Sequence, residues 1–66
     1  MNLLKYLDEK VKIELKNGKN FIGYVGDYEY PDENDKNKEF IVLDLISQNI
    51  PIGIYEDEIK SIEIVK

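Results

Sequence analysis

Carboxylates and phenols dominate the side chains that could do chemistry. The 66-residue chain holds 14 acids and five tyrosines, with no histidine and no cysteine. Ser47 and Ser61 are the only serines, and neither lies in a nucleophile motif. Imidazole and thiol are absent, carboxylate pairs are common by composition alone, and a two-acid hydrolase needs a cleft that so small a chain rarely encloses, so no enzyme activity is expected. No cofactor is expected either. A zinc site would have to rest on carboxylates alone, which is unusual.

The acids crowd around one stretch: Asp27, Glu29, Asp32, Glu33 and Asp35. A calcium loop needs regular alternation, a glycine at its turn and a distant glutamate. "DENDKNKE" lacks that glycine and is interrupted by lysines, so a solvated loop is expected and no metal. Tyr28 and Tyr30 alternate with these acids, and Tyr55 stands near the acidic "EDE" of Glu56–Glu58. Tyrosines stack on bases in a sequence-tolerant way. They also fill small cores and protein interfaces, where one end is dry and the other wet. The second role is expected here, because cations are few.

Net charge is −5, the isoelectric point is about 4.6, and all nine cations are lysines. That is the wrong sign for a generic phosphate-backbone binder. With no arginine there is no guanidinium fork for phosphate or guanine. No 18-residue apolar run is present and "MNLLKYLDEK" lacks a signal-peptide pattern, so a cytoplasmic protein is expected. The lack of cysteine fits a reducing compartment.

One domain, residues 1–66, must position these groups. A chain this short buries only about 60% of its unfolded surface, which makes self-association an expected source of further stability. Leu3, Leu4 and Leu7 suit two turns of helix within residues 1–10, with Asn2 as N-cap. From Val11 the period becomes two: Val11, Ile13 and Leu15 against Lys12, Glu14 and Lys16. Asn17-Gly18 predicts a type I′ hairpin. The return strand runs from Lys19 to about Tyr30 and carries Gly23 in its middle, where a sharp bend is expected. Residues 31–38 form a polar loop. "EFIVLDLI" is a strand whose near-continuous apolar run suggests cover on both faces. After a turn at Ser47–Asn49 come "IPIGIY", placed at an edge or strand start by Pro51, and "IKSIEIVK". A short N-terminal helix followed by five strands, one strongly bent, predicts a mainly β fold closed as a small barrel.

This pattern resembles the Sm-like family. The first motif of that family is carried by Val11, Ile13, Leu15, "KNG", Phe21 and Gly23. The resemblance continues through Val25, "GDYE" and "EFIVLDL", and ends with "IYEDEIKSI", where Ile54, Ile59 and Ile62 take the apolar places. It covers nearly the whole chain. It implies a small SH3-type barrel of the Sm-like kind, and rings built by pairing the fourth strand of one subunit with the fifth of the next. Here that pairing would use Ile52 and Ile54 with Ile62 and Ile64, although Pro51 lacks a donor. Carried over by position, the family's RNA-binding aspartate, asparagine, arginine and glycine fall on Glu29, Glu39, Tyr55 and Glu56. Acids thus replace three of the four.

The leading expectation is therefore a non-enzymatic interaction module that binds protein partners or itself. An alternative is altered RNA binding, with Tyr28, Tyr30 and Tyr55 stacking, Lys36 and Lys38 on phosphate, and Glu29 and Glu39 at the contact positions. Another is an acidic nucleic-acid mimic, of the kind a phage or mobile element encodes.

Overall fold

The computed structural model describes residues 1–66. Five antiparallel strands form one sheet: β1 (Lys10–Leu15), β2 (Asn20–Glu29), β3 (Phe40–Leu45), β4 (Pro51–Tyr55) and β5 (Ile59–Ile64). Their order across the sheet is β4-β3-β2-β1-β5. The mainly β expectation holds, with the strands where the alternation placed them.

Two finer expectations are corrected. Residues 1–10 contain no α-helix, only a 3-10 turn over Leu4–Tyr6. Asn2 caps nothing; the N-cap position is Leu3, without a side-chain cap. The leucines do not share one buried stripe: Leu3 is fully buried, whereas Leu4 and Leu7 are exposed. A helical nucleus costs more than so short a segment returns. The chain is instead turned by Asp8 at φ 67° and tied to β2, with Asp8 N–H donating to Val25 O at 2.8 Å and Val25 N–H to Glu9 O at 3.0 Å.

The sheet is also not closed into a barrel, because β4 and β5 share no ladder. It is nevertheless curled. In a flat sheet the two edges would lie about 19 Å apart, at ~4.8 Å per strand interval. The connection from Tyr55 to Ile59 reaches at most about 15 Å when extended. Here it is wound into a 3-10 turn, Glu56–Glu58. The edges therefore meet at that turn and part beyond it.

The β1–β2 hairpin forms as expected, but its turn is not type I′. Only Gly18 has positive φ (91°), and Asn17 does not. Gly18 N–H donates to Leu15 O (2.9 Å) and Leu15 N–H to Lys19 O (2.8 Å). Those bonds define a three-residue loop, a type I turn followed by a left-handed glycine. The Asn17 carboxamide oxygen accepts from Lys19 N–H at 2.9 Å.

The register of β2 against β3 shifts between Val25 and Asp27, so the bulge falls at Gly26. Gly23 answers a different need. A Cβ there would fall onto the Asp44 carbonyl oxygen of β3. The glycine lets the backbones approach, and the bulge three residues later re-aims the strand.

The core comprises Leu3, Val11, Ile13, Val25, Ile41, Leu43, Leu45, Ile54 and Ile59, all on the concave side. In β3 only one face is fully covered. Ile41, Leu43 and Leu45 are buried, Phe40 and Val42 are half-buried on the convex side, and Asp44 is exposed. The doubly covered strand expected from its composition is thus replaced by a one-sided one. No helix is long and apolar enough to cross a membrane.

Candidate interaction surface

Strand alternation divides the residues singled out in the sequence between the two sides of the sheet. Tyr28 lies opposite Ile41, and Glu39 precedes it by two, so both face inward. Glu29, Phe40 and Tyr55 are successive cross-strand partners on β2, β3 and β4, and form a row on the convex side.

The inward group is an anchor. Glu39 is 7% exposed. Its two carboxylate oxygens each accept from Leu3 N–H at 3.2 Å, and Tyr28 Oη–H donates to the same carboxylate. The Glu39 backbone N–H donates to Glu56 Oε2 at 2.6 Å, and Glu56 N–H donates back to Glu39 O at 2.9 Å. The Met1 amino group lies 3.8 Å from Glu56 Oε1. A buried carboxylate is costly unless its lone pairs are filled, and here donors fill them. Burial, the bond to Glu39 and the charge of Glu39 all push the Tyr28 phenol above its usual range. Tyr30 packs edge-on against Tyr28, centroids 5.1 Å apart, and is otherwise exposed. Glu39 therefore fastens the N-terminal segment to the sheet.

The convex row is a different kind of surface. The rings of Phe40 and Tyr55 lie 4.7 Å apart, tilted by 52°. Phe40 lies over Gly53, where a Cβ would come 2.5 Å from its ring. The Lys36 ammonium stands 4.7 Å from the Tyr55 centroid, and Lys38 lies 4.0 Å from Asp57. Phe40 was not singled out in the sequence, because it reads as one more apolar residue of an apolar strand.

Asn34 was missed as well, and it holds Lys36 in place. Its Oδ1 accepts from Lys36 N–H (3.1 Å) and Lys38 N–H (3.4 Å). Its Nδ2 donates to Lys38 O (2.7 Å) and Glu29 Oε1 (3.5 Å). An asparagine flanked by acids and lysines is the available signal, since its side chain mimics a backbone turn. The polar loop is thus folded on itself, opening with a 3-10 turn at Pro31–Glu33. No group of three or more acids is placed to hold a metal ion.

The pairing residues lie on the two free edges. Ile54 is in the core, Ile52 and Ile62 are half-buried, and Ile64 is 46% exposed. A cavity of about 510 Å³ between the start of β2 and the β3–β4 turn, lined by Phe21, Ile22, Leu45 and Ile46, contains none of the candidate contact or pairing residues.

Charge is segregated along the chain. Ten of the 14 acids but only two of the nine lysines lie in residues 27–58. This segment supplies the second half of β2, all of β3 and β4, and the connection to β5. The remainder, which includes β1 and β5, carries net positive charge. A scan against protein-family models, a search of curated proteins and a search of solved structures each return no match to this chain.

Proposed function

We propose that this protein is a non-enzymatic interaction module of Sm-like architecture that works through its two open sheet edges. The observation that carries the reading is the pair of edge strands, β4 and β5, each with one side unpaired and with half-exposed Ile52, Ile62 and Ile64 along them. An unpaired edge is a template for another strand, and apolar side chains add burial to the new hydrogen bonds. The resemblance to the Sm-like family implies pairing of the fourth strand with the fifth of a neighbour, and these are the strands left free here. Pro51 has no N–H to contribute, but it stands at the first residue of β4, where its cost to a ladder is least.

Sedimentation over a concentration series tests the reading. The expected result is association at micromolar concentration, lost in Ile64→Glu, which places a charge on the β5 edge. A chain that stays monomeric at high micromolar concentration overturns it.

A further inference from the structure

We propose that the convex row Phe40–Tyr55 is a docking strip for an arginine-bearing segment of a protein partner, whose cation replaces Lys36 on the Tyr55 ring. This goes beyond edge pairing and does not depend on it, because the strip lies on the face of β3 and β4.

Four observations converge. Phe40 and Tyr55 present adjoining rings on the side of the sheet away from the core, with half-buried Val42 beside Phe40 and Gly53 leaving room for the Phe40 ring. The ring of Tyr55 already holds a cation, since the Lys36 ammonium sits 4.7 Å from its centroid. That contact shows the ring accepting a cation, delivered by an exposed lysine on a loop. Glu29 continues the row on β2 and Asp27 follows on the same side; neither has a lysine partner among the ion pairs. The segment that builds the strip holds most of the acids of the chain. Arginine fits this set better than lysine. Its guanidinium stacks flat on an aromatic face while its N–H groups reach a carboxylate, and it is less strongly hydrated than an ammonium.

The test is a titration of the full chain with a hexa-arginine peptide, read by backbone amide chemical shifts. The expected shifts concentrate at Glu29, Phe40, Gly53 and Tyr55. Tyr55→Leu keeps every charge and should weaken binding about fivefold, as loss of a cation–π contact predicts. Tyr24→Leu removes an exposed tyrosine elsewhere and should leave binding unchanged. Lys36→Gln and Lys38→Gln remove equal charge, but only the first vacates the ring, so Lys36→Gln should tighten binding more. This comparison stands even if Tyr55→Leu perturbs the fold, because both lysines are on the loop.

Equal effects of the two lysine variants, or binding unchanged in Tyr55→Leu, would reduce the attraction to bulk charge and overturn the proposal. So would a uridine hexamer shifting the same residues, which would make the strip an RNA surface. Altered sedimentation of Tyr55→Leu without peptide would assign the strip to contacts between copies, and would also overturn it.

Discussion

Glu39 carries the sharpest single-residue consequence. Its side chain is the acceptor for Leu3 N–H and for the Tyr28 hydroxyl, and nothing else on the concave side fills that role. Glu39→Leu is expected to destabilise the fold by about 2–4 kcal/mol, since it strands two donors at ~1–3 kcal/mol each, less the gain from an apolar side chain. A denaturant melt measures this, and a loss under about 1 kcal/mol would remove the anchoring role. Tyr28 makes a pH-dependent counterpart. Its folded pKa is raised above the ordinary value of 10.0, so the neutral phenol is favoured in the folded state. The associated stability is fully present below pH 10 and is lost as pH rises beyond it. Tyr28→Phe should therefore be less stable than the wild type at pH 7, by about 1 kcal/mol for one lost hydrogen bond. The two melting curves should converge above pH 10. A gap that persists unchanged into alkali would show that the phenol does not titrate with folding.

At the scale of elements, β2 tests how glycine is used. Gly23→Ala puts a methyl group onto the Asp44 carbonyl, so a backbone must move. The expected loss is at least about 2 kcal/mol, in the range for overpacking. Gly18→Ala meets no atom within 4 Å, and only its φ of 91° resists. Its loss should be about 1–2 kcal/mol, the strain of a left-handed residue. A thermal melt in which Gly18→Ala is the worse of the two would remove the close-approach argument. The same elements show what the sequence made legible. Alternation in β1, the Asn-Gly pair and the polar stretch after Tyr30 are local signals, and each marks its element correctly, although the Asn-Gly turn is not the type I′ its composition predicts. The other failures are tertiary. Leu3, Leu4 and Leu7 have helical spacing, yet Asp8 turns the chain toward β2 before a second turn forms. Gly23 and Gly26 are indistinguishable by composition, and only pairing with β3 shows that the bulge belongs to the second. Glu39 reads as a polar residue opening a strand. Its inward aim follows from the parity of β3, and its partners come from Leu3 and Tyr28, 36 and 11 residues away. The seven candidate contact residues form one set in the sequence, but in the fold Tyr28 and Glu39 belong to an anchor, whereas Glu29, Tyr55 and the loop residue Lys36 belong to the convex surface.

For the whole molecule, charge decides which assembly the free edges favour. β4 belongs to the acidic segment, flanked by Asp44 and Glu56–Glu58, whereas β5 and its neighbour β1 lie in the net-positive remainder. Pairing β4 of one copy with β5 of the next brings unlike halves together. A two-fold dimer through β4 alone, or β5 alone, sets like charges opposite each other, which costs binding energy and slows encounter. Head-to-tail pairing is therefore expected, and such a contact either closes into a ring or continues as a filament. Salt separates the two geometries. The Debye length shrinks from about 30 Å at 0.01 M to about 8 Å at 0.15 M, so added salt weakens attraction between unlike halves and relieves repulsion between like ones. Sedimentation from about 0.01 M to 0.5 M salt should then show association falling as screening grows. Association that strengthens with salt would indicate a two-fold, like-to-like dimer and exclude the head-to-tail arrangement. Because the curl of the sheet holds the two edges together only at the Glu56–Glu58 turn, a neighbour's strand can approach either edge from the open side without unfolding the β1–β2–β3 core. The salt response should accordingly appear in assembly size while the melting temperature of the diluted, monomeric chain shifts much less.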